Sequence, residues 1–244
     1  MTPPLFVCAR DQLDSDTIVL GGDEGRHATT VRRIGPGERV DVTDGSGLVA
    51  ECMVTASGAG ELRLAVRARR SEPEPACRVV VAQAIVKGDR GELAVELMTE
   101  VGVDVIVPWA AERCIARWLP EREERALDRW RSAARQAAKQ SRRARFPEVT
   151  RQRQTPGVAA LVSGAARAVL LDHGASLPLA EAPLPGEGEI VLVVGPEGGI
   201  SESEAATLTA AGAVSARLGP TVLRGSTAGA VAGAILLSRS GRWS

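Results

Sequence analysis

Two hydrophobic periods divide the chain. Apolar residues recur at every second position in Arg39–Thr43 and again in Glu61–Ala68. Val40 and Val42 alternate with Arg39, Asp41 and Thr43, Leu48 to Val54 returns after Asp44-Gly45-Ser46-Gly47, and Glu61 to Ala68 alternates again. Period two sends successive side chains to opposite faces, so these runs predict half-buried strands, with the Asp-Gly-Ser-Gly stretch as a hairpin turn. Beyond about residue 72 the pattern becomes short uncharged runs separated by helical stretches. Strands are expected at Arg78–Ile85, Val103–Trp109, Ala168–Asp172, Ile190–Val194 and Val214–Leu218. Helices are expected at Gly91–Val101, Glu121–Ala144, Val158–Gly164, Ser201 to about Ala211, and Thr227–Leu237. Apolar runs alternating with helices predict an α/β domain with a parallel sheet buried on both faces. The chain therefore divides into a small β-barrel over residues 1–72 and an α/β domain over residues 73–244, with Ser71-Glu72-Pro73-Glu74-Pro75 as a stiff polar linker.

Two glycine-marked turns stand in series near the end of the chain. Gly195-Pro196-Glu197-Gly198-Gly199 follows the run Ile190–Val194, and Leu218-Gly219-Pro220-Thr221-Val222-Leu223-Arg224-Gly225 follows Val214. Each opens into a helical pattern. Ser201 with Glu204 three residues on forms a capping box, and Gly212 is placed to end that helix. Turns at the carboxyl ends of neighbouring parallel strands form a ligand crevice. The spacing is neither G-x-G-x-x-G nor a Walker loop, and the first turn carries Glu197 and no Lys, which disfavours phosphate. An uncharged or cationic ligand held by backbone groups suits it. Ordinary strand–helix turns whose glycines serve only geometry remain the other reading of these residues.

Composition changes this picture little, and charge changes it more. The 244 residues are 44% hydrophobic, enough for a sizeable core. No apolar run reaches membrane-spanning length and Met1-Thr2-Pro3-Pro4-Leu5-Phe6 has no signal-peptide pattern, so a soluble cytoplasmic protein with no membrane association is expected. Cys8, Cys52, Cys77 and Cys114 are widely spaced, and His27 and His173 are the only imidazoles, so no metal site is expected and free thiols are. A formal net charge of zero hides an asymmetry, because residues 113–153 hold 13 basic and 5 acidic side chains. Lys occurs only at 87 and 139, and the remaining cations are Arg, whose planar fork suits phosphate. Arg135, Lys139, Arg142 and Arg143 on the long helix are candidates to lie on an RNA backbone, against the alternative of a solvated helix face. In the first domain Phe6 is the lone aromatic, so RNA contact there rests on phosphate and shape. Arg10, Arg26, Arg32 and Arg33 are the candidates, with surface ion pairs to Asp23, Glu24 or Glu38 as the alternative.

The motifs taken together resemble one family. Gly195-Pro196-Glu197-Gly198-Gly199-Ile200-Ser201 with Glu204, followed by Leu218-Gly219 and Val222-Leu223-Arg224 with Thr227-Ala228, resembles the RsmE family of RNA methyltransferases, SPOUT enzymes that methylate N3 of a uridine in 16S ribosomal RNA. His27 with Val31-Arg32-Arg33 and Gly37, Lys87-Gly88-Asp89-Arg90, Glu112-Arg113-Cys114, and Ala137-Ala138-Lys139-Gln140-Ser141-Arg142-Arg143 with Pro147-Glu148-Val149 resemble further family segments in the same order. One departure is local: Gly225-Ser226 stands where many relatives carry Thr-Glu, so the acid between the arginine and Thr227-Ala228 is missing.

The resemblance implies a PUA-like barrel followed by a SPOUT-type parallel-sheet domain with a C-terminal trefoil knot, working as a homodimer on the small ribosomal subunit. It implies S-adenosylmethionine as cofactor, held by Leu171, Val194, Gly195, Glu197, Gly198 and Gly199 from the first side. Leu218, Gly219, Leu223, Thr227 and Ala228 hold it from the second, and Arg224 is the catalytic group. Lys87 joins the RNA contacts. Arg224 pairing Glu197 or a helix end is its alternative role, and no residue stands out as general base. Two rival functions stay open: a SPOUT enzyme acting on a ribose 2′-hydroxyl or on transfer RNA, and a non-catalytic RNA-binding protein of ribosome assembly. A serine hydrolase does not fit, because Gly225-Ser226-Thr227-Ala228-Gly229 is not G-x-S-x-G.

Overall fold

The computed structural model describes residues 2–243. The chain forms two compact units, residues 1–74 with 138–146 and residues 75–137 with 147–244.

The first unit is built on a five-stranded sheet ordered β1-β3-β4-β5-β2. Its strands are β1 (Leu5–Val7), β2 (Thr17–Leu20), β3 (Arg39–Thr43), β4 (Leu48–Gly58) and β5 (Glu61–Ser71). The period-two pattern is realised: β3, β4 and β5 run antiparallel, and Val40, Val42, Ala50, Val54, Leu62 and Leu64 point into one core with Phe6, Leu13 and Ile18. Register shifts at Glu51/Cys52 and Val54/Ala56 bend the long β4–β5 ribbon over that core. A short helix α1 (Gly22–Arg26) continues as one π turn to Val31. A Cβ on Gly25 would lie 2.3 Å from the Gly60 carbonyl oxygen and 2.4 Å from that of Leu20, so only glycine lets α1 dock there.

Two expectations change in this unit. The linker is bound at its start: Ser71 ends β5, the Glu72 amide donates to Gly47 O at 2.8 Å, and Arg145 Nε donates to Glu72 O at 3.0 Å and Pro73 O at 3.2 Å. The long Arg-rich helix, expected to reach Ala144, stops at Gln140, because Arg142 turns into the left-handed region at φ 59° and the Ala144 carbonyl then accepts from the Gly47 amide.

The second unit is a six-stranded sheet, parallel throughout, ordered β11-β9-β10-β6-β7-β8. Its strands are β6 (Cys77–Ala84), β7 (Val105–Trp109), β8 (Glu148–Val149), β9 (Arg167–Leu171), β10 (Gly188–Val194) and β11 (Val214–Ala216). Helices are α2 (Arg90–Val101), α3 (Pro120–Gln140), α4 (Thr155–Gly164), α5 (Glu202–Ala210) and α6 (Gly225–Arg239). The central strands are apolar on both sides because both faces are covered. Val79, Val81, Ile190 and Leu192 pack with α2, α3 and α6, whereas Val80, Ala82, Val191 and Val193 pack with α4 and α5. Gly229 lets α6 close on α2, since a Cβ there would sit 2.8 Å from Met98 Sδ.

Candidate functional site

The two glycine turns meet. β10 and β9 are hydrogen-bonded neighbours, β9 pairs with β11, and the chain leaving β10 and β11 forms facing walls of a cleft of about 760 Å³. That volume lies in the range of small-ligand sites. The walls approach through glycine backbone: a Cβ on Gly225 would lie 3.3 Å from Val86 Cγ1 and 3.6 Å from Gly195 O, and one on Gly198 would lie 3.2 Å from Arg113 O. Gly199 holds φ at 75°, where a side chain is strained. Among the described residues the amides of Glu197, Gly198, Leu218 and Leu223 donate to no backbone carbonyl. The cleft thus presents unpaired backbone donors on both walls, a surface for a ligand read by its polar edges.

A buried carboxylate holds the first wall. Ser201 caps α5, accepting from the Glu204 amide, and Glu204 is 5% exposed. Glu204 Oε1 accepts from the Glu112 amide at 2.8 Å and from Thr155 Oγ1 at 2.7 Å, while Oε2 accepts from the Ser201 amide and hydroxyl, both at 3.3 Å. Thr155 Oγ1 accepts in turn from Trp109 Nε1 at 3.2 Å. One side chain therefore ties together the N-terminus of α5, the loop after β7 and the start of α4. Arg113, next to the anchored Glu112, donates to Gly198 O at 3.4 Å.

Leu171, Val194, Gly195, Glu197, Gly198 and Gly199 line the cleft, as do Leu218, Gly219, Leu223 and Ala228. Thr227 does not; its hydroxyl donates to Arg224 O at 3.1 Å and closes the first turn of α6. Arg224 is the N-cap residue of α6 and is exposed on the cleft wall. Among the described residues no carboxylate lies within ion-pair distance of it, so neither Glu197 nor another acid holds its guanidinium. Ser226 is buried on the same wall and the first turn of α6 carries no acid. His173 and Asp172 stand exposed at the rim, 3.9 Å apart. Sequence reasoning did not place Arg90, Arg113 or Glu204 at the site; the basic residues beside Asp89 and Glu112, and the acid of the capping box, were the available signals.

Several of the expected RNA contacts are held in ion pairs within the fold. Arg10 pairs with Asp44 at 3.2 Å. Burial works against the Asp44 carboxylate, but hydrogen bonds from Ser46 and Arg10 outweigh it and hold its pKa below the ordinary value. Arg26 pairs with Asp23. Lys139 is committed within the first unit: its ammonium meets Glu24 Oε1 at 2.6 Å with both side chains mostly buried, which removes it from any phosphate surface. Arg32 and Arg33 are exposed beyond the π turn, Arg33 at φ 55°. In the second unit Lys87 and Arg135 are exposed; in the first, Arg142 is exposed and Arg143 half-buried.

Comparison with known proteins matches both parts of the chain. The chain matches the family description "RNA methyltransferase domain" over residues 72–237 and "RNA methyltransferase PUA domain" over residues 20–66. It is 47% identical to the ribosomal RNA small subunit methyltransferase E of Mycobacterium tuberculosis over 229 residues, 92% of this chain and 87% of that protein. It is 25% identical to the protein of the same name from Bacillus subtilis over 223 residues, 88% of this chain and 87% of that one. The crystal structure of a ribosomal RNA small subunit methyltransferase E from Neisseria gonorrhoeae bound to S-adenosyl methionine superposes with a TM-score of 0.85 at 25% identity, covering 98% of both chains.

Proposed function

The chain belongs to the family of ribosomal RNA small subunit methyltransferase E, and from that premise we propose that it transfers a methyl group from S-adenosylmethionine to N3 of a uridine in 16S ribosomal RNA. The observation that carries the reading is the glycine-walled cleft with Arg224 unpaired on its face.

The residues present fit the cofactor. The ring nitrogens of an adenine and the carboxylate of a methionine group accept from backbone amides, and Glu197, Gly198, Leu218 and Leu223 offer them. Leu171, Val194 and Ala228 supply apolar wall. When bound, S-adenosylmethionine supplies an electrophilic methyl on a sulfonium. The chain's own work is to align the base and to stabilise the anion left when the N3 proton departs. That anion carries its charge on O2 and O4. Arg224 and the N-terminal end of the 15-residue helix α6 line the cleft, and the guanidinium and the positive helix end would stabilise such an anion there. The base must be unpaired or flipped to expose N3. With Ser226 in place of an acid, no carboxylate on the first turn of α6 takes the proton, and Asp172 and Glu197 are the carboxylates that line the cleft.

The first unit serves as an RNA-binding module, with Arg32 and Arg33 as open cations. Homodimerisation is part of the proposal, supported by apolar surface left at Val222, 77% exposed, and Val231, 41% exposed. So is a trefoil threading of the C-terminal segment, supported by the packing of α6, the last element, against α2 and the central strands β6 and β10. The test compares wild type with Arg224→Ala. Loss of label transfer from S-adenosylmethionine to small-subunit RNA, with cofactor affinity retained by calorimetry, supports the assignment. Unchanged turnover removes Arg224 from the mechanism.

A further inference from the structure

A second cleft, of about 710 Å³, lies in the second unit beside the methyl-transfer cleft, between the start of α3 and the loop joining β6 to α2. Its walls carry Arg117, Arg122, Arg125 and Arg129, together with the half-buried Trp118. Arg122, Arg125 and Arg129 stand at i, i+3 and i+7, so they occupy one face of α3 over about 10 Å of helix. Three acids also line it. Glu92 is taken by Arg129 at 3.0 Å, which leaves Asp89 and Glu121. Among the described residues no carboxylate lies within ion-pair distance of Arg117, Arg122 or Arg125, nor of Lys87 on the neighbouring loop or Arg90 at the start of α2. Arg117 makes only a 3.5 Å contact to the Glu112 carbonyl. The Trp118 ring meets Trp130 edge to face, with centroids 5.1 Å apart and an interplanar angle of 86°, so Trp130 braces its orientation.

The two clefts share a wall. Gly88 and Asp89 line this one, Arg90 lines the methyl-transfer cleft, and Val86 packs beneath Gly225 of α6. Unpaired guanidiniums along a helix face with an aromatic ring in the same cleft are what a single-stranded nucleic acid requires: charge that tracks the backbone and a surface for a base. We infer that this cleft holds the RNA strand flanking the target uridine, with Arg122 and Arg125 on its phosphates and Trp118 against a neighbouring base. The inference rests on the methyltransferase reading and moves the RNA-binding part of α3 from its C-terminal end to its first turns.

The test uses the full-length protein, with Arg122→Ala/Arg125→Ala as the variant and Arg78→Ala, whose partner is Glu189 at 3.2 Å, as the control. Both altered arginines are exposed, so the fold is retained. Binding is read with a 15-nucleotide oligouridylate across a salt series, cofactor affinity by calorimetry, and methyl transfer on unmodified small subunits. The expected result is a loss of oligouridylate affinity of tenfold or more. The slope of log K against log salt falls by about 1.4, since each single-strand phosphate contact contributes roughly 0.7. Cofactor affinity stays within twofold, and the control matches wild type. Unchanged affinity and slope in the double variant, or no oligouridylate binding by wild type, overturns the inference. If wild type transfers no methyl but the double variant still loses RNA affinity, the methyltransferase reading fails and the RNA cleft stands.

Discussion

Glu204→Gln isolates what the buried carboxylate does for the cofactor wall. The substitution keeps size and shape and replaces one acceptor oxygen by an NH2 group. In the native protein both oxygens accept, Oε1 from the Glu112 amide at 2.8 Å and Oε2 from the Ser201 amide at 3.3 Å. The hydroxyls of Thr155 and Ser201 can rotate to become acceptors, but a backbone amide cannot. Whichever way the new side chain turns, one N–H faces another at hydrogen-bond distance. The longer Ser201 side is the less costly choice. A hydrogen bond to a charged group contributes about 1.5–3 kcal/mol, and a buried donor left unsatisfied costs a comparable amount. A loss of about 2 kcal/mol follows, which is a fall in Tm of about 4–8 °C for a unit of this size. Because the same group fixes Glu112 beside Arg113 and Ser201 beside Gly199, cofactor affinity falls with it. Differential scanning calorimetry and isothermal titration with S-adenosylmethionine read the two effects. A variant with wild-type Tm and wild-type affinity refutes the account of Glu204 as the tie between the loops.

Three further outcomes follow from the packing and the charges. Gly25→Ala drives a methyl group into two carbonyl oxygens at 2.3 and 2.4 Å, and urea titration is expected to show a loss of about 3 kcal/mol in the first unit; a wild-type midpoint contradicts it. Lys139→Met leaves Glu24 without its ammonium partner and is expected to lower stability by about 2 kcal/mol, while the salt slope of RNA binding stays unchanged. Burial, and then Asp44, push the Cys8 thiol up to about 11, and burial with Asp41 pushes Cys52 up to about 12. Both are therefore protonated at pH 8, and thiol reagents should label the native protein far more slowly than the urea-unfolded chain.

The elements written most clearly in the sequence are those whose causes are local. Ser201 and Glu204 form the capping box their spacing announces, and Gly212 ends α5 at φ 110°. The uncharged run Ile190–Val194 becomes the strand β10, paired on both sides by parallel neighbours. The end of α3 is different. Ala137, Ala138 and the residues after them keep helical spacing and propensity, and nothing local stops the helix. It stops where Lys139 meets Glu24, 115 positions away, and where the Gly47 amide takes the Ala144 carbonyl. β11 closes early, at Ala216, because Arg217 instead pairs with the segment around Leu177. The candidate site shows the same division. Its glycine turns and Arg224 follow from the chain's own punctuation. Arg90 enters from the first turn of α2 and Arg113 from the loop after β7, and only the strand order brings them to the cleft. The +8 excess in residues 113–153 is visible in the sequence, but which of its cations remain unpaired is decided by carboxylates elsewhere in the fold, such as Glu24 and Glu92.

The most direct test of the central claim is methyl transfer from isotope-labelled S-adenosylmethionine to small ribosomal subunits lacking the modification, followed by nucleoside mass spectrometry of the 16S RNA. Label in 3-methyluridine, lost in Arg224→Ala, is the predicted result. Label in a 2′-O-methyl nucleoside or another base, or cofactor binding with no label in the RNA, contradicts it.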